Sequence, residues 1–86
     1  MTNNEKILLL KKEHNLKNLE VAELIGSRLN TVKNWFKDPT ANGSRTAPDH
    51  AVRCLIYGLH LRKLGVDPLS VERHTLGDDL RARESA

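Results

Sequence analysis

The sequence of 86 residues predicts an all-α protein, a compact bundle of about five short helices. Its single Trp, Tyr and Phe leave leucine, isoleucine, valine and alanine to fill the core. Strands prefer β-branched and aromatic residues, whereas a composition rich in Leu, Lys and Glu favours helices. A chain this short forms one domain, so residues 1–76 are expected to fold together and residues 77–86 to be a flexible tail.

Apolar spacing and helix-ending residues define the first three predicted helices. The segment Asn4–His14 has apolar residues on one face and lysines on the other, which predicts the first helix. The apolar spacing of Leu19–Ile25 predicts a second, and Gly26 ends it because glycine accepts the left-handed conformation. Leu29–Phe36 is predicted as the third helix.

The second half of the chain begins with a loop. Asp38–Ala47 is polar and rich in turn-forming residues, which predicts a loop of about ten residues. Pro48 suits the first turn of a fourth helix that runs to about Leu64, where Gly65 stops it. Leu69–Thr75 is predicted as a short fifth helix.

The net charge of +3 comes from one segment. Residues 1–27 carry four Lys and four Glu, and residues 46–86 carry six basic and six acidic residues, so both parts are neutral. Residues 28–45 contain four basic residues against Asp38 alone. Such a basic segment fits a polyanionic partner or a solvated surface, and charge alone does not distinguish them. The basic residues are Arg28, Lys33, Lys37 and Arg45.

Two short helices joined by a glycine-containing turn of about three residues form the DNA-binding helix-turn-helix unit. The spacing of residues 18–37 fits this unit. Ala22 lies four residues before Gly26 and supplies a small side chain where the two helices cross. The residues expected to be buried around the crossing are Val21, Ile25, Val32 and Trp35.

The stretch NLEVAELIGSRLNTVKNW, residues 18–35, resembles the phage-repressor (XRE-like) family of helix-turn-helix regulators. Within that family it looks most similar to small phage autorepressors, which include the anti-CRISPR-associated type. The later order Trp35, Gly43, Pro48, Leu55 is also similar, so the resemblance covers about residues 16–64. It implies a transcriptional regulator whose third helix lies in the major groove while the second crosses the backbone.

The sequence departs from that family at the helix starts. Lys17 and Arg28 stand where its members usually carry Ser or Thr ahead of these helices. Phe36 follows the tryptophan where an acidic residue is common, and the loop Asp38–Ala47 is longer than usual. These departures leave the exact set of base-contacting residues open by about one position.

The outward positions of the third helix carry hydrogen-bond donors suited to DNA. Arginine pairs with guanine, asparagine with adenine, and the threonine methyl group contacts thymine. An ordinary surface helix would show Glu/Lys pairs, but no acid lies between Glu23 and Asp38, which favours DNA binding. Asn18, Lys33, Lys37 and Arg45 are the candidates for phosphate contacts. The predicted DNA-binding residues are Asn18, Ser27, Arg28, Asn30, Thr31, Lys33, Asn34, Lys37 and Arg45.

The fourth helix is apolar on two sides, which requires a second neighbour. That neighbour is either the tail Leu69–Leu80 or the same helix of a partner chain, and we favour a homodimer. A two-fold dimer would contact a palindromic operator with half-sites about 34 Å apart. The stripe expected to face the core is Ala51, Val52, Leu55, Ile56 and Leu59. The predicted dimer interface is Cys54, Tyr57, Leu61 and Leu64.

Catalytic and metal-binding patterns are lacking in the sequence. Cys54 is the only cysteine, which excludes an internal disulfide or a thiolate cluster and suggests a buried structural residue. The four histidines have no ligand-like spacing. We therefore expect no enzymatic activity, no metal or cofactor and no small-molecule ligand. The N-terminal apolar run of four residues is too short for a signal peptide or membrane span, which predicts a soluble cytoplasmic protein in a bacterial cell or a phage-infected host.

Three functions are consistent with these features. The first is a sequence-specific dimeric repressor that binds double-stranded DNA. Its own promoter is an expected target, because a regulator this small responds chiefly to its own concentration. The second is a helical protein-interaction module such as an antitoxin or adaptor. The third is an architectural or recombination-directing factor that bends DNA.

Overall fold

The computed structural model describes residues 1–75, which form five helices and no strand, so the predicted all-α class is confirmed. None of these helices is long and apolar enough to cross a membrane. The predicted tail 77–86 lies outside the described residues. The helices are α1 (Asn3–Glu13), α2 (Asn18–Ile25), α3 (Leu29–Trp35), α4 (Asp49–Lys63) and α5 (residues 68–75).

The helix boundaries agree with the predicted ones to within one residue. Pro48 is the clearest shift, because it lies just before α4 with an extended backbone (φ −73°, ψ 160°) and is not in the first turn. At the N-terminal end of the chain, α1 begins with a reciprocal cap that the sequence analysis did not identify. The Thr2 hydroxyl accepts from the Glu5 N–H and the Glu5 carboxylate accepts from the Thr2 N–H, both at 3.2 Å.

The core forms where α2 crosses α4. Leu24 of α2 lies directly on Gly58 of α4, since a Cβ placed on Gly58 would be 3.1 Å from a Leu24 methyl carbon. The absent side chain thus allows the two helices to approach closely. The buried apolar residues are Ile7, Leu16, Val21, Ala22, Leu24, Val32, Trp35, Ala47, Ala51, Val52, Leu55 and Leu59.

Three burial predictions are wrong. Ile56 was expected to face the core but is 48% exposed, and Gly58 lies on the buried face of α4. Ile25 is only half-buried, because Leu24 takes the position against α4. Cys54 is exposed and therefore is not a buried structural cysteine in the single chain.

The loop 38–47 is confirmed and is held by two asparagines, which we call the asparagine clamp (Asn3 and Asn4). The Asn4 amide donates to the Arg45 carbonyl at 2.8 Å and accepts from the Ala47 N–H at 2.7 Å. The Asn3 amide donates to the Ala47 carbonyl at 2.9 Å and to the Asp49 carboxylate at 2.8 Å. The first turn of α1 therefore fixes the end of the loop and the start of α4.

Candidate nucleic-acid interface

The connection between α2 and α3 is three residues long. Gly26 ends α2 in the left-handed conformation (φ 79°, ψ 27°), which residues with a side chain adopt only with strain. The Gly26 and Ser27 N–H groups both donate to the Ala22 carbonyl, at 2.9 and 3.0 Å. Arg28 then has an extended backbone, and α3 starts at the next residue. This connection fixes the direction in which α3 leaves α2.

The two faces of α3 differ sharply. Val32 is fully buried and Trp35 is 5% exposed, so one edge of the helix packs into the core. The opposite edge faces solvent with predicted DNA-binding side chains. Of these, Arg28, Asn30, Thr31 and Lys33 are exposed and Asn34 is half-buried. The helix therefore presents a surface of hydrogen-bond donors that the core contacts do not use.

The first turn of α3 is chemically unlike the first turns of α1, α2 and α4. Those three carry Glu5, Glu20 and Asp49 respectively, whereas the first turn of α3 carries no acidic residue. An acid in a first turn stabilises a helix by about 0.3–1 kcal/mol through the helix dipole. Arg28, the residue ahead of α3, makes no side-chain capping bond. The start of α3 therefore lacks two ordinary means of stabilisation.

The start of α2 is fixed by Glu20. The Glu20 carboxylate accepts from the Lys17 N–H at 3.1 Å, and the Arg62 guanidinium of α4 lies 3.4 Å from its other oxygen. The backbone hydrogen bond from Lys17, assisted by Arg62, lowers the pKa of Glu20 below its ordinary value. A glutamate thus replaces part of the capping function that Lys17 cannot provide.

Two predicted DNA-binding residues lie at the edges of this surface. Asn18 is the first residue of α2 and half-buried, and its Oδ1 atom is buried without a hydrogen-bond partner among the described residues. Ser27 is half-buried in the connection between the helices. Asn18 therefore lies at the start of α2 and Ser27 in the connection to α3, and neither belongs to the exposed edge of α3.

Lys37 and Arg45 lie on the loop that follows α3, and both are exposed. The Arg45 N–H donates to the Asn34 carbonyl at 3.3 Å, which ties the end of the loop to α3. Its guanidinium donates to the Ser44 carbonyl at 2.8 Å. The Lys37 amine lies 3.1 Å from the position that a Cβ of Gly43 would occupy. The loop thus brings two cations next to the C-terminal end of α3.

The predicted dimer stripe faces away from the core of the single chain. Tyr57 is 61% exposed and Leu64 is 64% exposed, while Cys54 is exposed and Leu61 half-buried. Residues 68–75 leave Tyr57 and Leu64 uncovered. Whether residues 76–80 cover them lies outside the described residues.

The sequence analysis missed the asparagine clamp, which positions Arg45. Its four hydrogen bonds join residues 41 to 46 positions apart, so no local pattern could have indicated them. Among residues 1–75 there is no group of three or more histidine, cysteine, aspartate or glutamate side chains that could hold a metal ion.

Comparison with known proteins gives no relative. No protein-family model, curated protein or solved structure matches the chain. The resemblance to XRE-like regulators therefore stays a prediction, and the functional argument depends on the residues themselves.

Proposed function

We propose that the chain is a sequence-specific regulator that binds double-stranded DNA as a dimer through a helix-turn-helix formed by α2 and α3. Its proposed action is repression at a palindromic operator, including one in its own promoter. The observation that carries the proposal is the chemistry of α3. Its exposed edge is rich in donors, and its first turn lacks the acid that the first turns of α1, α2 and α4 carry.

An acid-free helix start is what a phosphate-rich partner favours. An acidic side chain at this position would repel the DNA backbone, whereas Arg28, Asn30 and Thr31 offer groups that pair with base edges. Lys33, and Lys37 and Arg45 beyond the end of α3, supply positive charge for phosphate contacts. The contact set thus combines base recognition with backbone neutralisation.

The dimer is proposed to form between the outer faces of two α4 helices. A two-fold interface pairs the same patch with itself, and the exposed Tyr57 and Leu64 supply apolar area for such pairing. A chain this small gains stability by burying more surface than one copy can. Because each copy contributes one recognition helix, a dimer would bind two symmetric half-sites.

Selection of bound sequences from a random duplex library tests the function. We expect a two-fold-symmetric winner bound at least about 10³-fold more tightly than its scrambled duplex at physiological salt. Asn30→Ala should erase the preference at particular base pairs, while Asn42→Ala, an exposed loop asparagine, should not. Weak binding of every duplex that disappears with salt would contradict specific regulation.

The oligomeric state is tested separately by sedimentation. Tyr57→Glu should convert a dimer to a monomer and weaken operator binding. Ile56→Glu is the matched control, because Ile56 is an exposed apolar residue of the same helix outside the stripe. A wild-type monomer at operator-binding concentrations would contradict the dimer.

The exposed apolar face of α4 also supports a second candidate, a helical protein-interaction module such as an antitoxin or adaptor. This function would be favoured if substitutions of Arg28, Asn30 and Asn34 left activity in cells intact while Tyr57→Glu abolished it. An architectural factor would instead bend duplexes strongly without preferring any sequence.

A further inference from the structure

A cleft of about 790 Å³ opens between α1, the end of α3 and both ends of the loop 38–47; we call it the loop cleft. Its size falls in the range of small-molecule sites. Its apolar lining includes Leu8, Trp35, Phe36 and Pro39, and its basic lining residues are Lys37 and Arg45. An apolar site with a few charged groups is the usual composition of a ligand pocket.

The walls of the loop cleft are held by hydrogen bonds. Asn4 binds the backbone on both sides of Thr46, at the Arg45 carbonyl and the Ala47 N–H. The Arg45 N–H in turn donates to the Asn34 carbonyl. Because these hydrogen bonds fix residues 45–47 to α1 and α3, a ligand would enter a preformed site and would not have to order this part of the loop.

The charged groups of the loop cleft differ in how many of their hydrogen-bonding atoms are already engaged. One Glu5 oxygen accepts from the Thr2 N–H. One Asp38 oxygen accepts from both the N–H and the hydroxyl of Thr40, at 2.9 and 2.7 Å. By contrast, Arg45 has a single side-chain bond, to the Ser44 carbonyl, and its remaining guanidinium donors can bind an anion. Among the described residues, the Arg45 guanidinium therefore keeps donors for a ligand, while Glu5 and Asp38 balance the charges of Arg45 and Lys37 in the lining.

We propose that the loop cleft binds a small aromatic carboxylate, its ring against Leu8, Trp35 and Phe36 and its carboxylate on Arg45 and Lys37. A guanidinium pairs with a carboxylate through two parallel hydrogen bonds, which gives such a ligand an orientation as well as affinity. The sequence pattern predicts no small-molecule ligand, and this proposal departs from that prediction because the cleft exists only where the loop meets α1.

A ligand bound in the loop cleft would also affect DNA binding, and this consequence rests on the proposed function. Arg45 and Lys37 are both proposed phosphate contacts. A bound carboxylate would engage them and lower operator affinity. Because each copy of the dimer would lose two phosphate contacts, the slope of log affinity against log salt would also fall by about 3.6.

Ligand binding is tested without DNA by nuclear magnetic resonance. Trp35 is the only tryptophan, so its indole N–H gives one resonance that reports on the cleft. The probes are indole-3-acetate, indole-3-acetamide and tryptamine, which share a ring and differ in charge. We expect saturable shifts with indole-3-acetate at a Kd on the order of 1 mM or below. The amide should bind at least fivefold more weakly, and tryptamine weaker still.

Variants locate the binding. Arg45→Gln should weaken indole-3-acetate binding at least fivefold, whereas Arg53→Gln, an exposed arginine of α4, should leave it unchanged. Equal binding of the three probes, or no effect of Arg45→Gln in a variant whose spectrum stays folded, would overturn the proposal. No saturable shift of the Trp35 resonance up to 10 mM probe, roughly ten times the expected Kd, would also overturn it.

A second arm measures operator affinity with and without saturating indole-3-acetate. A rise in the operator Kd of about tenfold, absent in Arg45→Gln, is expected. Binding of the probe with no change in operator Kd would overturn the regulatory half alone. A chain that binds no operator would refute the proposed function, and the resonance titration would still decide the ligand site.

Discussion

The consecutive helices α2 and α3 differ in how strongly their starts are stabilised. In α2, three of eight residues (Val21, Ala22 and Leu24) are buried, and Glu20 caps the start while pairing with Arg62 of α4. In α3, Val32 and Trp35 are the two buried residues, and the start has neither an acid nor a side-chain cap.

This difference distinguishes α2, which supports the fold, from α3, which exposes polar side chains to solvent. Residues that would best stabilise the start of α3 are acids, and acids are what a nucleic-acid surface excludes. The start of α3 is therefore less stabilised on the face where hydrogen-bond donors are exposed. Stability comes instead from α2, which packs on both α3 and α4.

The largest expected effect comes from giving α3 the acid that the first turns of α1, α2 and α4 carry. Asn30→Glu should keep or raise the free energy of unfolding, by up to about 1 kcal/mol, because a carboxylate then complements the helix dipole. It should weaken operator binding about 100-fold, or about 2.7 kcal/mol, by losing a base contact and repelling phosphate. Fluorescence anisotropy and thermal denaturation measure the two quantities.

The matched control is Asn42→Glu, which adds the same charge at an exposed asparagine of the loop. If both variants lose the same affinity, the effect is one of net charge and the distinction between α2 and α3 has no functional meaning. A large loss of stability in Asn30→Glu would equally contradict the interpretation of the acid-free start.

Much of this contrast could be predicted from the sequence, because it depends on local signals. The apolar spacing of α2 and α3, the turn at Gly26 and the lack of acids between Glu23 and Asp38 are all visible in the chain. The burial of Val32 and Trp35 followed from the same spacing and is confirmed. DNA binding itself stays a prediction.

The packing of α4 could not be predicted with the same accuracy. A helix that is apolar nearly all round does not indicate which third of its circumference faces the core. The hydropathy pattern predicts that Ile56 faces the core, but Gly58 lies on the buried face instead. Glycine has no side chain, so hydropathy does not identify it as a core residue. The asparagine clamp was missed because its partners are more than forty residues apart.

Gly58 provides a second test, because it is where α2 rests on α4. Gly58→Val should lower the free energy of unfolding by about 1–3 kcal/mol, since its added methyl groups meet Leu24. Gly58→Ala should change it less, because the gain in helix propensity of about 1 kcal/mol offsets a 3.1 Å contact with a flexible leucine methyl. Denaturant unfolding measures both, and equal stability of the Val variant and the wild type would contradict the close approach.

The smallest expected effect concerns the cap of α2 and is a pH dependence. The Lys17 N–H and Arg62 lower the pKa of Glu20 in the folded chain below its ordinary value of 4.5. A group with a depressed folded pKa stabilises the protein above its unfolded pKa and loses that contribution as pH falls through the folded value. The Tm should therefore fall on acidification below about pH 4.5, and Glu20→Gln should make this fall shallower.

The other depressed carboxyls provide the comparison for that measurement. The pKa of Glu5 is lowered by the Thr2 hydrogen bonds and the pKa of Asp38 by those from Thr40, so both groups also lose stabilisation on acidification. Glu5→Gln should flatten the profile by removing the carboxylate from the cap of α1. If Glu20→Gln weakens operator binding at pH 7 but Glu5→Gln does not, the cap of α2 positions α3. Equal operator affinity in both variants would restrict Glu20 to stability, and α3 would then depend on Gly26 and its core residues for its orientation.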